Sequence, residues 1–360
     1  MRTIQNKTRL FNALAFWLCA TIAFANSPIN VEKKKTITKS FSVSSKDRLS
    51  INNQFGDVNV SLWDRNEIRI DITITGYGDN DENAQKYLEA VEIVDIRDNE
   101  QITFKTNIDN DRFGNKWNWG NIKRKDGSEE KRGVKVDYQV SMPKQNTLAI
   151  SNKFGGTIIP EFTAPLKVHS SYGSFKTDRL TGNGKDIDVS FGSAYIKVID
   201  TGKLKISYSS LTVERANDLN LDNDFGTLKI DEVDKIVGDI GYSKCTFGTL
   251  KESADLKLRF SGGCKFTSIP QTVKNINIDA QYSEVALPVG DNNNFDFDVT
   301  VHYGGFKFPS DKVVLTVNPD KEDDEKNNWS PKFTKTYKGK IGKGGGNLRI
   351  KTNFSGVKFY

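Results

Sequence analysis

One short stretch in the middle of the chain decides the fold: Leu204-Lys205-Ile206-Ser207-Tyr208-Ser209-Ser210-Leu211-Thr212-Val213. Apolar and polar residues alternate up to Tyr208, and they alternate again from Leu211 with the parity shifted by one residue. Because side chains of a strand point alternately to its two faces, the shift predicts two short strands joined by a corner. We expect the apolar set, with the aromatic residue included, to point into the core.

The same phrase, a polar residue followed by Phe or Tyr and then by Gly or Ser, recurs nine times between residues 150 and 303. Its aromatic residues are Phe154, Tyr172, Phe191, Tyr208, Phe225, Tyr242, Phe260, Tyr282 and Tyr303. Their spacing of 17 to 22 residues is typical of a solenoid. It predicts an all-β chain wound as a right-handed parallel β-solenoid, or β-helix, with a structural ladder of stacked aromatic residues. The alternative is an antiparallel sandwich of hairpins, which predicts no fixed interval.

The ends of the repeat differ from its middle, as is typical of capping coils. For residues 26–149 the sequence predicts an atypical, β-rich N-terminal capping region. This region has one short helix over residues 82–91 and a polar loop at 109–132. For residues 150–360 the sequence predicts the solenoid repeats, with a loop insertion at 318–346. The phrase also occurs once in the capping region, at Phe55, and once near the C-terminus, at Phe354.

Residues 1–25 predict a signal peptide. Arg2, Lys7 and Arg9 form a basic start, an apolar stretch follows, and Ala23-Phe24-Ala25 gives the small-x-small pattern of a cleavage site. The alternative is a buried N-terminal helix or a membrane anchor, but the stretch is short for a membrane span. We therefore expect an exported protein, in the periplasm or at the cell surface, whose mature chain has no transmembrane segment.

Composition and charge exclude several classes of protein. Aromatic residues make up 11% of the chain, which is too many for a disordered protein, and three Cys are too few for a disulfide scaffold. Loss of the three basic residues of the signal peptide leaves 49 basic against 46 acidic residues, a net charge of +3. This charge is too small and too dispersed for a protein that binds a phosphate backbone, so we expect no nucleic-acid partner.

Three short motifs resemble a known family. The stretch Asn53-Gln54-Phe55-Gly56-Asp57-Val58-Asn59-Val60, followed by Trp63-Asp64, resembles the opening of the bacterial "putative adhesin" family of exported β-strand-repeat proteins, a domain of unknown function. Later signatures of that family are similar to Asn152-Lys153-Phe154-Gly155-Gly156 and Gly344-Gly345-Gly346-Asn347-Leu348-Arg349-Ile350. The resemblance covers nearly all of the mature chain. It implies an exported envelope protein and implies no particular functional residues.

Catalytic and metal-binding patterns are not evident in the sequence. His169 and His302 lie 133 residues apart, which gives no metal-ligand spacing, and we expect no metal and no cofactor. Hydrolysis of a glycan would need two carboxylates about 5–10 Å apart, whereas Asp188, Lys205 and Asp222 predict alternating charges at matching outward positions. We therefore predict a non-catalytic, adhesin-like interaction or scaffold protein that binds an envelope or extracellular glycan or protein. A polysaccharide-active lyase or hydrolase on a β-helix is the alternative.

Cys245 and Cys264 fall at matching inward positions of neighbouring coils. Stacked positions of this kind allow a disulfide, and they equally allow a pair of buried free thiols that fill core space. Either state gives the two residues a structural role.

Exposed indoles are the binding candidates that the sequence offers. Trp117 and Trp119 lie in the first polar loop, and Trp329 lies in the second. An indole on a surface can stack on a sugar ring or anchor a protein partner. The alternative is that these three residues cap the open end of the stack of coils.

Overall fold

The computed structural model describes residues 31–109, 120–123, 129–290, 293–320 and 333–360. The predicted signal peptide and the three candidates Trp117, Trp119 and Trp329 lie outside these residues. The described part is all-β with one helix, α1 (Asp81–Glu89). Within the described residues no helix is long and apolar enough to cross a bilayer.

The strands of the first half are β1 (Val31–Ser42), β2 (Arg48–Gln54), β3 (Val58–Trp63), β4 (Glu67–Gly78), β5 (Val91–Asp98), β6 (Gln101–Ile108), β7 (Gly120–Lys123), β8 (Glu129–Pro143), β9 (Thr147–Lys153), β10 (Thr157–Phe162), β11 (Leu166–Ser171) and β12 (Ser174–Leu180). Those of the second half are β13 (Lys185–Ser190), β14 (Ser193–Ser207), β15 (Ser210–Arg259), β16 (Gly262–Ser268), β17 (Asn275–Gln281), β18 (Val285–Leu287), β19 (Phe295–His302), β20 (Phe306–Lys307), β21 (Val313–Val317), β22 (Thr334–Ile341), β23 (Gly346–Asn353) and β24 (Val357–Phe359).

Strands of successive repeats pair in parallel on two faces of the molecule. On the first face β2 pairs with β9, β9 with β11, and β11 with β13. On the second face β3 pairs with β10, and β10 with β12. The register matches equivalent residues of neighbouring repeats, since Ile187 lies beside Leu204 and Leu204 beside Leu221. Each repeat therefore lies in register on the next.

The core lies between these two faces. Ile187, Val189, Leu204 and Ile206 before the corners, and Leu211 after one, are almost completely buried. One repeat alone would leave this apolar row in water, and stacking on its neighbours removes the row from solvent.

The prediction that the aromatic ladder points into the core is wrong. The ring residues of the repeats have positive φ angles, and most of them are about half exposed. A residue in the left-handed conformation turns its side chain away from the side that strand alternation assigns to it. The corner therefore lies at the ring residue itself, and the ring points to solvent.

The N-terminal end adds antiparallel strands to both faces. β4 pairs antiparallel with β8, and β1 with β4, on the second face, while β5 pairs antiparallel with β6 on the first. Helix α1 packs on β4, and the Asn80 side chain caps it by accepting the Asn83 N–H at 2.8 Å. β7 pairs antiparallel with the start of β8, and both lie inside the segment 109–132 that the sequence predicted as a loop.

The C-terminal strands do not lie at the end of the stack. β23 pairs in parallel with β17 on one side and with β19 on the other, and β24 pairs with both β18 and β20. The last repeat in sequence is thus inserted between two repeats that precede it. Antiparallel β22 and β21 then extend the first face beyond β19, and β22 lies inside the predicted loop insertion 318–346.

Asp57 joins the first repeat to its neighbours, and this contact predicts a pH-dependent stability. Its Oδ1 accepts the Gly156 N–H at 2.8 Å, and its Oδ2 accepts Lys135 Nζ at 3.0 Å. Burial opposes ionisation, but these two hydrogen bonds outweigh it and lower the pKa of Asp57 below its usual 3.8.

The stabilisation by the Asp57 carboxylate is thus present above the pKa of the unfolded chain and disappears as the pH falls through the folded-state pKa. We expect Asp57→Asn to be less stable than the parent protein at pH 7, with a difference that shrinks below about pH 4. Urea unfolding at a series of pH values measures this difference. Asp64→Asn, at an exposed position, serves as the control, and a difference for Asp57→Asn that stays constant with pH would contradict the assignment.

Candidate functional site

The corner of each repeat is a Phe or Tyr in the left-handed backbone conformation. The φ angles lie between 49° and 64° for Phe55, Phe154, Tyr172, Phe191, Tyr208, Phe225, Tyr242, Phe260, Tyr282, Tyr303 and Phe354. Bulky side chains rarely adopt this conformation, which costs an L-residue about 1–2 kcal/mol. A hydrogen-bond ladder holds it: the Tyr172 N–H donates to the Ser190 carbonyl at 2.9 Å, and the Tyr208 N–H donates to the Asp224 carbonyl at 2.9 Å.

These eleven described rings form one continuous stack, which we name the aromatic ridge. Neighbouring ring centroids are 4.7–5.1 Å apart, and their planes differ by 1–13°. The spacing is that of hydrogen-bonded strands, so the backbone sets it, and the ridge is roughly 50 Å long. Each stacked pair adds about 0.5–1.5 kcal/mol, which offsets part of the cost of the left-handed corners.

Phe and Tyr alternate strictly along most of the ridge. In space the rings follow the order Phe154, Tyr172, Phe191, Tyr208, Phe225, Tyr242, Phe260, Tyr282, Phe354 and Tyr303. In sequence Tyr303 follows Tyr282 directly, and only the insertion of Phe354 between them restores the alternation. Tyrosine hydroxyls therefore recur on every second ring, about 10 Å apart.

The ridge is a large apolar surface in contact with water. Its rings from Phe154 onward are 39–53% exposed. At about 200 Å² for a whole aromatic side chain, this exposure amounts to roughly 1,000 Å², whereas the largest apolar patch of a typical monomer covers about 300–600 Å². Because neighbouring rings cover each other's faces, the ridge presents ring edges and hydroxyl groups. It can make apolar contacts and hydrogen bonds along an extended partner.

Small residues support the ridge from inside. Every ring residue is followed by Gly or Ser, and the serines with the most buried side chains are Ser209, Ser243, Ser261 and Ser283. Ser243 Oγ donates to the Gly241 carbonyl at 2.6 Å and accepts the Gly226 N–H at 3.1 Å. Ser283 Oγ accepts the Ser261 N–H at 2.8 Å. The bonds to the Gly226 and Ser261 N–H groups join the corners of neighbouring repeats.

The outward face of the first strands carries alternating charges. Asp188 lies beside Lys205, and Lys205 beside Asp222, in the parallel register. His169 Nδ1 lies 3.4 Å from an oxygen of Asp188. At these positions the row places opposite charges next to each other.

Cys245 and Cys264 are buried free thiols in the structure. A hydrogen bond with Cys245 and burial raise the pKa of Cys264 well above its usual value. Since both thiols are completely buried and out of reach of the reagent, we expect iodoacetamide to leave both residues unmodified in the native protein at pH 7 and to modify both after unfolding in urea. Mass spectrometry of the labelled protein measures this. Rapid labelling of the folded protein, or a disulfide in the unreduced protein, would contradict free buried thiols.

The structure brings the predicted ladder residues together and adds two to them, Phe55 and Phe354. Sequence reasoning missed that the rings point outward. The inward positions before and after Tyr208, Ile206 and Leu211, are five residues apart. Inward positions of one continuous strand are an even number of residues apart, so alternation breaks somewhere between Ile206 and Leu211. This break was the signal that the Tyr208 ring need not point to the same side as the inward residues of the preceding strand.

No family model matches the chain, and no curated protein matches it in sequence. Among solved structures, the chain is similar to a protein from Parabacteroides merdae described as a putative adhesin, with 11% identity, 91% of this chain and 96% of that chain covered, and a TM-score of 0.29. It is also similar to a putative cell adhesion protein from Clostridium sporogenes, with 10% identity, 91% and 99% covered, and a TM-score of 0.22. A putative adhesin from Parabacteroides distasonis gives 11% identity, 91% and 97% covered, and a TM-score of 0.27. These descriptions name the class of protein that the sequence motifs resemble.

Proposed function

We propose that this chain is an exported cell-envelope protein with an adhesin-like, non-catalytic binding role, and that the aromatic ridge is its binding surface. In this proposal the repeats form a right-handed parallel β-solenoid between two capping ends, and the partner is a glycan or protein of the envelope or the extracellular space. The observation that carries the proposal is the ridge itself. Phe and Tyr are held in a disfavoured conformation, repeat after repeat, with about half of most of the side chains in water.

Stability alone does not require this arrangement. Gly or Asn adopts the left-handed conformation at lower cost, and a buried ring would contribute more hydrophobic stabilisation than an exposed one. Backbone strain that recurs on an exposed surface is a feature of binding sites. A ridge with rigidly spaced rings also binds without first having to order its side chains.

Substitution in the middle of the ridge tests the proposal. Tyr208→Asn with Tyr242→Asn removes two rings while keeping residues that tolerate the left-handed conformation. Val237→Asn, at a 55% exposed apolar position on the first face, is the matched control. We expect the double variant to lose at least about tenfold in affinity for whichever immobilised envelope glycan or protein the parent binds, as for interface aromatic residues, with the control unchanged.

Circular dichroism melting of all the variants verifies that the comparison is made between folded proteins. Equal binding by the parent and the folded double variant would overturn the assignment of the ridge. Release of oligosaccharide from any polysaccharide in a turnover assay would overturn the non-catalytic part of the proposal.

A further inference from the structure

The ten exposed rings of the ridge, from Phe154 to Tyr303 in their spatial order, form a corrugated surface. Their planes are nearly parallel, and all ten start from equivalent left-handed corners. Each tyrosine hydroxyl therefore protrudes beyond the Phe rings beside it. Because Phe and Tyr alternate, hydroxyl groups alternate with notches over Phe, and each kind recurs about every 10 Å. A partner that covers the ridge closely must match this repeat over roughly 50 Å.

The ridge offers a partner ring edges and free hydroxyl groups. A ring inside the stack has both faces covered by its neighbours, which leaves its edge, and the edge carries partial positive charge. Within the described residues none of the five ridge hydroxyls makes a hydrogen bond, whereas Tyr138 Oη lies 2.8 Å from Thr106 Oγ1 and Tyr360 Oη donates to the Phe266 carbonyl at 2.6 Å. The hydroxyl oxygens of the ridge are thus free to accept contacts from positively polarised groups.

The ridge is complementary to itself when a second copy is turned end to end. Ten rings in strict alternation begin with Phe and end with Tyr, so reversal places every Phe opposite a Tyr. The opposed pairs are Phe154 and Tyr303, Tyr172 and Phe354, Phe191 and Tyr282, Tyr208 and Phe260, and Phe225 and Tyr242. Each hydroxyl of one copy then enters a notch of the other, where its oxygen meets a ring edge. Two copies side by side in the parallel direction would oppose Tyr to Tyr.

The inserted position of the last repeat makes this self-complementarity complete. If the repeats lay in sequence order, Phe354 would come after Tyr303. Reversal would then oppose Phe154 to Phe354. It would also oppose Tyr172 to Tyr303, so two of the five kinds of pair would be mismatched. Because Phe354 lies between Tyr282 and Tyr303, both mismatches disappear.

The row of residues beside the ridge leaves room for a second ridge. Two residues after the ring, the side chain is small and uncharged in eight of the ten repeats: Gly156, Ser174, Ser193, Ser210, Thr227, Gly262, Gly305 and Gly356. The other two repeats have Lys244 and Glu284 at this position. None of the ten residues is buried. A low row with few charges lets another surface approach the rings, and few charges are typical of the centre of an interface.

The exposed area of the ridge is that of a stable dimer. Exposures of 39–53% leave roughly 1,000 Å² of ring surface per copy, at about 200 Å² for a whole aromatic side chain. Two paired ridges therefore bury roughly 2,000 Å² if they are completely covered and roughly 1,300 Å² if two thirds is covered, and a specific interface buries about 1,200–2,000 Å² in total.

We propose that the ridge binds the ridge of a second copy of this chain, antiparallel, about a two-fold axis that passes between Phe225 and Tyr242. The interface is isologous, so each contact occurs twice. The association is reversible, and in the dilute, monomeric protein the ridge is open to solvent and to reagents. This inference rests on the proposed function, because it takes the ridge as the binding surface and names the protein partner.

Exchange of Phe and Tyr between ring positions tests the register. Every ridge position already holds one of the two residues in the left-handed conformation, so the exchanges preserve the fold. Sedimentation velocity over a concentration series measures the Kd of the dimer, and we expect the parent protein to be dimeric at about 10 μM. Phe225→Tyr alone opposes Tyr to Tyr on both sides of the axis and should raise the Kd at least about tenfold. Phe225→Tyr with Tyr242→Phe opposes Phe to Tyr at every position again and should restore the parent Kd.

Phe225→Tyr with Tyr208→Phe is the matched control, because it has the same composition and also exchanges two neighbouring rings. It leaves Tyr opposed to Tyr at positions 225 and 242, and it opposes Phe to Phe at positions 208 and 260. Its Kd should therefore stay at least about tenfold above that of the parent. A parent protein that is monomeric at about 100 μM, no weakening by Phe225→Tyr, or equal Kd values for the two exchanges would overturn the inference.

The failures of the two proposals are distinguishable. If the parent is monomeric while Tyr208→Asn with Tyr242→Asn loses the immobilised partner, the ridge binds another molecule and only this inference is wrong. If the two exchanges differ as expected while the double Asn variant still binds the immobilised partner, the ridge is the interface between two copies and the proposed function is wrong at the ridge.

Discussion

Ile350→Asp is expected to unfold the C-terminal end of the protein while the N-terminal repeats remain folded. Ile350 is completely buried in β23, with Ile278 of β17 and Val299 of β19 as its register partners. A carboxylate there loses its hydration and finds no partner, so we expect a loss of at least about 4 kcal/mol. Because β23 lies between β17 and β19, its loss separates two parts of the first face.

Hydrogen exchange followed by mass spectrometry measures where protection is lost. Protection should fall in β17, β19, β22 and β23 and persist in β9, β11 and β13, since a repeat contacts mainly its nearest neighbours. Lys351→Gln is the control, because the next side chain of the same strand is exposed. Protection lost only in β23 and β24, as for a strand at the end of the stack, would contradict the inserted position.

Gly173→Val is expected to destabilise the protein by about 3 kcal/mol, as overpacking does. A Cβ at Gly173 would lie 2.0 Å from the Gly155 carbonyl oxygen, and the Gly192 equivalent would lie 1.8 Å from the Gly173 oxygen. The corners of successive repeats thus touch through their backbones. No repeat has a residue larger than Ser directly after its ring residue, and valine adds a Cβ and two methyl groups to a space that does not accept them.

Urea denaturation measures the change, and Gly305→Val is the matched control. Gly305 is the second residue after the ring residue Tyr303, whereas Gly173 directly follows the ring residue Tyr172. A Cβ at Gly305 would meet no atom within 4 Å. We expect the control to stay within about 0.5 kcal/mol of the parent protein. Equal effects of the two substitutions would show that the corners do not approach each other as the structure describes.

The sequence predicted the parts of the fold that depend on local alternation. Ile187 and Val189 share one parity and are buried, and Leu211 and Val213 lie on the inner side after the corner as the phase change requires. The near-constant interval also identified which residues are equivalent, and the register of β13 and β14 pairs Ile187 with Leu204.

Two features could not be obtained in this way. The direction of each ring depends on φ at a single residue, and strand alternation does not determine φ. The position of the last repeat depends on pairing between distant strands, such as Ile278 with Ile350. Residues 346–353 have the same alternation as any other first strand, so nothing local distinguishes a strand inserted into the stack from one placed at its end.

Nitration of tyrosine in the native protein tests most directly whether the ridge faces solvent. Tyr172, Tyr208, Tyr242, Tyr282 and Tyr303 are about half exposed, whereas Tyr138 is 1% exposed and its burial raises its pKa to about 12. After brief treatment with tetranitromethane and peptide mapping, we expect the five ridge tyrosines to be nitrated and Tyr138 to be unmodified. Protection of the ridge tyrosines to the same degree as Tyr138 would place the rings inside the protein and contradict the account.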